Sequence, residues 1–417
     1  MKKERLHIWI RILSCLVLLG VCCTLAAPLA AWAAQPEEDT ADEEAGLTGA
    51  QVLEMRQADL AVTALTESDE FAAMDAQERY AAAEQQLLAL ADEGLIDRRS
   101  LYYDEEMQMF TFSYRCGVLG GMLLQDLEDL TPQQAAYDLP LLSVASALGA
   151  EENGEENGLD LAAVDAANGR IGTADIYYAF DNTRISSRYP YYAVMQQSWT
   201  EAGLTTRLHT DLTVASMRAI TPGDLCVFSM HGAYYTYTYG WLWQRTITAP
   251  IMILTEESSW LKDLLYASDL LTHRVIKVNG LYCLLPSFFL AHLSGSALSG
   301  TIVFSETCDF FGKGCEDYTL ASPFLSAGAK AVIGFRNTVY STYSRNVMWD
   351  TVNQLIYGDT VQEALAHATQ RYGSDDVVWY SSLTTRTPHA LAAYPLYVGD
   401  GDAWLPYTSV VSLSGAA

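Results

Sequence analysis

The segment Gly300-Thr-Ile-Val-Phe-Ser-Glu-Thr-Cys308-Asp-Phe-Phe-Gly312 constrains the fold more than any other part of the chain. An apolar, β-branched run leads straight into a cysteine, and a glycine follows a few residues later. The pattern predicts a buried strand with a thiol at its C-terminal end. Open α/β sheets place their chemistry at that edge. Upstream, Leu225-Cys-Val-Phe-Ser-Met-His231-Gly232 is a second such run, and it ends in His-Gly. Two strands, one ending in His and the next in Cys, suggest a Cys/His dyad.

The first residues are not counted in the fold. Lys2, Lys3, Arg5 and Arg11 precede the apolar stretch Ile12 to Leu29, and Ala31-Trp32-Ala33 is a small-x-small cleavage signal. Residues 1–34 therefore read as a secretory signal peptide, which implies a secreted or cell-envelope location. An uncleaved membrane anchor is the alternative. No other segment is long and apolar enough to suggest a span, so no membrane span is expected in the mature form. The chain carries 24 Lys+Arg against 51 Asp+Glu, a formal charge of −27. Loss of the leader makes this more negative still. Nucleic acid is excluded as a partner on this ground, because phosphate binding needs clustered cations. Of the 8 cysteines, Cys15, Cys22 and Cys23 leave with the leader. Cys116, Cys226, Cys283, Cys308 and Cys315 remain, an odd number, so at least one thiol stays unpaired. A Cys308–Cys315 disulfide is an alternative that would remove the candidate nucleophile.

Residues 35–46 form an acidic, apolar-poor leader of disordered composition. Residues 47–148 read as a small α+β N-terminal domain. Within it Asp75-Ala-Gln-Glu78 fits a capping box, Gly94 is placed to end the helix that follows, and short strands are expected at Ser100–Asp104, Met109–Tyr114 and Val118–Leu124. The run Glu151-Glu-Asn-Gly-Glu-Glu-Asn-Gly158 marks an acidic linker over 149–158. From 159 to 417 strands and helices alternate. Strands are expected at Ala174–Phe180, Leu204–Leu208, Leu225–Met230, Ala249–Leu254, Thr301–Ser305 and Ala331–Phe335. Helices are expected between them. Such alternation implies α/β architecture, a mostly parallel sheet flanked by helices. Gly240–Pro250 and Ser258–Gly280 read as insertions, and the tyrosine-rich run after His231 as a β-hairpin.

A neighbouring imidazole turns a thiol into a nucleophile and can then protonate a leaving amine. The oxyanion formed in acyl transfer needs donors, for which the backbone N–H groups of Gly232 and Cys308 are the candidates. Phe228-Ser-Met-His231-Gly232 followed by Ile302-Val-Phe-Ser-Glu-Thr-Cys308-Asp resembles the caspase-like cysteine peptidases of clan CD. That group includes caspases, legumains, clostripain-like enzymes, gingipains and separases, with CHAT domains among its relatives. Ser322-Pro-Phe-Leu-Ser-Ala-Gly-Ala-Lys-Ala-Val-Ile-Gly-Phe335, the helix-like run Asp359–Ala368 and Tyr394-Pro-Leu-Tyr-Val-Gly-Asp400 resemble the later segments of CHAT and gingipain-like domains. The resemblance covers Ala174 to Leu405.

It implies a caspase–hemoglobinase-like fold in 159–417 and a secreted, bacterial-type cysteine endopeptidase acting on polypeptide. His231 would be general acid/base and Cys308 nucleophile, with no metal or cofactor in the chemistry. Calcium dependence is known among relatives and is left open here. Glu306, two positions before the cysteine, matches a position that lines the primary specificity pocket in several relatives, which implies cleavage after a basic residue. The other reading of Glu306 is a structural carboxylate. Asp181 is a second pocket candidate, or a turn cap. The sequence departs from the family where Asp309-Phe-Phe intervenes before Gly312. That departure sustains an alternative function, a catalytically inactive caspase-like or CHAT-like module for binding or assembly. His209, His273, His292, His367 and His389 read as surface or satisfied core residues.

Overall fold

A computed structural model of the chain describes residues 46–105, 107–124, 172–179, 191–239, 245–312, 319–339, 341–376 and 393–405. The expected signal peptide, most of the acidic leader, the linker, Asp181, Cys315 and His389 lie outside these residues.

Helices start where side chains satisfy the first free N–H groups. Thr48 and Gln51 form a capping box at the head of α1 (Gly49–Thr66), and Ser68 caps the short α2 (Asp69–Ala73). The Asp75–Glu78 box opens α3 (Ala76–Asp92), and Gly94 follows it at φ +74°. Three strands come next: β1 (Tyr102–Asp104), β2 (Met109–Ser113) and β3 (Leu119–Leu123), paired antiparallel in order.

The alternating part follows as β4 (Thr173–Ala179), α4 (Tyr191–Glu201), β5 (Thr205–His209), α5 (Val214–Met217) and β6 (Leu225–Tyr239). Then come β7 (Arg245–Glu257), α6 (Trp260–Leu265), α7 (Ala267–Leu271), β8 (Val275–Val278), β9 (Leu281–Leu284) and α8 (Pro286–His292). The chain continues through β10 (Ile302–Ser305), α9 (Ala321–Ser326), β11 (Ala331–Arg336), α10 (Ser341–Tyr357), α11 (Val361–Tyr372) and β12 (Tyr394–Gly399).

Strand β6 is the hub. Its first half lies in a sheet of order β5-β4-β6-β10-β11-β12, parallel except for β12. Its second half turns into an antiparallel ladder with β7, which continues through β9 and β8. The expected strand Leu225–Met230 therefore does not end at His231. It runs on to Tyr239, because alternating Tyr and Thr suit a half-buried strand as well as the preceding apolar run suits a buried one. Both faces of the parallel sheet are covered. Val303 of β10 and Phe228 of β6 enter one core, while Ile302, Phe304 and Val227 enter the other against Trp199 and Trp349. This is the period of 2 expected of strands between two helical layers.

The N-terminal elements do not stand apart. Strand β3 pairs in parallel with β8 (Gly120↔Lys277, Gly121↔Val278), and the described residues from Leu47 onward belong to one compact unit. A three-stranded antiparallel piece leaves β3 with an unpaired edge, and β8 closes it. Beneath this joint the buried Lys277 Nζ contacts Asp59 of α1 and Asp263 of α6, the latter at 2.9 Å. The stretch 258–280, expected as an insertion, supplies α6, α7 and β8 of this arrangement. Among the described residues no helix is long and apolar enough to cross a membrane.

Candidate active site

His231 sits where β6 changes sheets. Met230 is the last residue paired in parallel with β4 (opposite Ala179), and His231 is the first paired antiparallel with β7 (opposite Ile253). The neighbouring β10 is in register with β6 (Phe304↔Val227, Ser305↔Phe228), and Glu306 N–H extends the ladder by donating to Phe228 O at 2.8 Å. The end of β10 and the middle of β6, where it leaves the parallel sheet, therefore lie side by side. Beyond β10 the chain tightens. Ser305 Oγ donates to Thr307 Oγ1 at 2.8 Å, and Asp309 takes the left-handed conformation at φ +57°, so that Gly312 N–H reaches Asp309 O at 2.7 Å.

Gly232 joins the two elements. A Cβ at this position would collide with the Cys308 carbonyl oxygen and with Thr307 Cγ2. The sequence analysis put forward the backbone N–H of this glycine for the oxyanion hole. The structure shows a carbonyl of the chain itself, that of Cys308, pressed against its α-carbon. The absence of a side chain at 232 is what lets the Cys308 turn lie on the strand that carries His231.

Cys308 is half-buried, and its Sγ donates to Val339 O at 3.3 Å on the β11 side. His231 is half-buried as a residue, and burial pushes its pKa down from 6.5 to about 4, which keeps the imidazole neutral near pH 7. A neutral imidazole accepts a proton, as a general base must. Gly232 stands in the ladder opposite Met252.

Glu306 is buried and has partners inside the protein. Tyr192 Oη of α4 donates to Glu306 Oε1 at 3.0 Å, Ser344 Oγ of α10 donates to Oε2 at 3.5 Å, and Tyr192 also meets Ser229 Oγ of β6. Burial raises the carboxyl from 4.5 to about 7. The charge of Arg345 and these hydroxyls pull it back only in part. Tyr192, Ser344 and Arg345 were not singled out from sequence. The available signal was Arg345, a cation in a helix whose following residues Val347, Met348 and Val352 are all buried.

The remaining described histidines have other engagements. His209 bonds Asp175 at 2.8 Å and stacks on Tyr177, His273 bonds Gly117 O, His292 bonds Asp269, and His367 bonds Asp350. Among the described residues no group of three His, Cys, Asp or Glu side chains is placed to hold a metal ion. No protein-family model and no curated protein matches the chain.

Proposed function

We propose that the chain is a cysteine endopeptidase of caspase-like type, with Cys308 as nucleophile and His231 as general acid/base. One observation carries this reading: the Cys308 turn lies directly on the His231 strand through the side-chain-free contact at Gly232. In the reaction Cys308 Sγ gives its proton to the neutral His231 and attacks the peptide carbonyl carbon. The tetrahedral oxyanion is met by the N–H groups proposed for this role, those of Gly232 and Cys308. The C–N bond then breaks as His231 protonates the departing amine, leaving a thioester. Water, deprotonated by His231, attacks the thioester, and the thiolate leaves and recovers the proton. This scheme draws on no metal or cofactor. Any calcium requirement would be structural.

Polypeptide is the proposed substrate, and the N-terminal segment would place the enzyme outside the cytoplasm. The preference for a basic residue rested on Glu306 needing a cation from the substrate. Arg345 already lies close enough to act on that carboxyl, and Tyr192 and Ser344 bond it. We therefore assign Glu306 to the framework of the site and leave the preferred side chain to experiment. The second reading, a catalytically silent module, draws on the bond from Cys308 Sγ to Val339 O, which favours the protonated thiol.

Fluorogenic peptides bearing Arg, Lys, Asn or Asp at the cleavage position test the proposal. They are to be run with and without calcium, beside Cys308→Ala. Cleavage that is lost in the variant is expected. Absence of cleavage by protein whose Cys308 is free and reduced favours the silent module.

A further inference from the structure

We infer that Asp309, acting through Thr338, is a positioning residue that fixes the Cys308 thiol. This rests on the peptidase reading for its effect on turnover, but the geometry stands independently of it. Two non-glycine residues, Asp309 (φ +57°) and Asn337 (φ +66°), hold left-handed conformations in neighbouring loops, and both are buried. Glycine would adopt either conformation at less cost. Such outliers persist where the surroundings over-determine them, and they concentrate at functional sites.

The surroundings here are specific. Asp309 N–H donates to Asn337 O at 3.1 Å, and Asn337 N–H donates back to Gly312 O at 3.3 Å. Phe311 N–H donates to Phe335 O at 3.1 Å, which ties the same turn to the end of β11. Thr338 Oγ1 donates to Asp309 Oδ2 at 3.0 Å. The next residue, Val339, supplies the carbonyl that accepts from Cys308 Sγ at 3.3 Å. The chain of contacts closes on itself: Cys308 to Val339, Val339 to Thr338 along the backbone, Thr338 to Asp309, and Asp309 back to Cys308 as its sequence neighbour. A side chain that departs from the family resemblance, the Asp directly after the cysteine, is thus the one that holds the acceptor for the thiol.

Two consequences follow for a protein that lacks the Thr338 hydroxyl. The loop 337–339 loosens, so the thiol is no longer held by Val339 O and reacts more readily with a small electrophile. The same thiol is less well aligned with a substrate carbonyl, and misplacement of this kind lowers turnover more than binding.

The test measures iodoacetamide alkylation of Cys308 at a fixed neutral pH, read on the Cys308 peptide by mass spectrometry, together with kcat and KM. Thr338→Val is expected to alkylate about two- to tenfold faster, the value of one modest hydrogen bond. Its kcat is expected to fall about tenfold or more with KM nearly unchanged. Thr338→Ser, which keeps the hydroxyl, is expected to restore both values. A folded Thr338→Val with wild-type alkylation and kcat overturns the proposal. Should Thr338→Val fail to fold, Asp309→Gly, which removes the acceptor and tolerates φ +57°, carries the same comparison, and wild-type behaviour there overturns the proposal equally. If the wild type cleaves no peptide while alkylation still separates Thr338→Val from Thr338→Ser, the peptidase reading fails and the clamp stands.

Discussion

The two sheets that share β6 bury charge in different ways. On the antiparallel side, Lys277 is 1% exposed and touches two carboxylates, Asp59 and Asp263. Tyr114 and Tyr282 bond those same carboxylates, and Ser258 reaches Asp59 at 3.4 Å. Burial holds Asp263 above its ordinary range, and Lys277 is the main force pulling it back. The cluster ties α1 to α6 and β8 and so fastens the N-terminal elements to the rest. On the parallel side, burial pushes the Glu306 carboxyl up to about 7, against the charge of Arg345 and the hydroxyls of Tyr192 and Ser344 that bond it. It lies two residues from the thiol. The difference teaches that a buried carboxylate in direct contact with a lysine fastens elements together, whereas one left near the midpoint of its titration makes the fold around it sensitive to pH.

The largest expected effect lies at the junction between the sheets. Cys308→Ala should lower kcat/KM by at least about 10³-fold, with the thermal midpoint nearly unchanged. A comparable loss of stability would mean that the thiol serves packing rather than chemistry. Next comes the antiparallel cluster. Lys277→Met removes the cation and leaves Asp59 and Asp263 facing each other, so unfolding free energy should drop by about 3–5 kcal/mol. Below its melting range that variant should keep its kcat. Loss of activity in a well-folded Lys277→Met would break the division of labour drawn here.

Glu306 gives a pH signature of the opposite kind. Its folded pKa of about 7 exceeds the ordinary 4.5, so its contribution to stability is fully present below about 4.5 and is lost as pH rises through about 7. The wild type should therefore lose about 3 kcal/mol relative to Glu306→Gln across that window. Urea midpoints for both proteins between those pH values check this, and a difference that does not change with pH would remove the contrast with the lysine cluster. Gly232→Ala should cost about 1–3 kcal/mol of stability, the usual range for a clash in a packed region. It should also slow turnover, because the added methyl pushes the Cys308 carbonyl off the His231 strand. Turnover unchanged in this variant would mean that the contact at Gly232 does not set the dyad.

The parallel half of the molecule was legible because its strands are continuous apolar runs and its helices carry local signals. Ile302–Ser305 and Ala331–Arg336 lie within one residue of where the sequence puts them. The antiparallel half was harder to read. Strand β8 is only four residues long, and Lys277 in its middle disguises it, because the carboxylates that make a buried lysine tolerable come from distant Asp59 and nearby Asp263. Pairing of β3 with β8 left no trace in either segment, since Gly120 and Gly121 give no periodic signal. At the candidate site, His231, Gly232 and Cys308 were singled out from two apolar runs and a family resemblance, although β6 runs on past His231 to Tyr239. The partners of Glu306 and the loop 337–339 were not, because they come from helices and loops that only the folded sheet brings to β10.

The pairing of His231 with Cys308 is tested by a peptidyl electrophile that labels thiols, with labelling of Cys308 followed by mass spectrometry in the wild type and in His231→Ala. Stoichiometric labelling of Cys308 is expected in the wild type and its loss in the variant, while a small unselective alkylating agent still reaches the thiol in both. Equal labelling of the two proteins by the peptidyl probe would contradict a working His231/Cys308 pair.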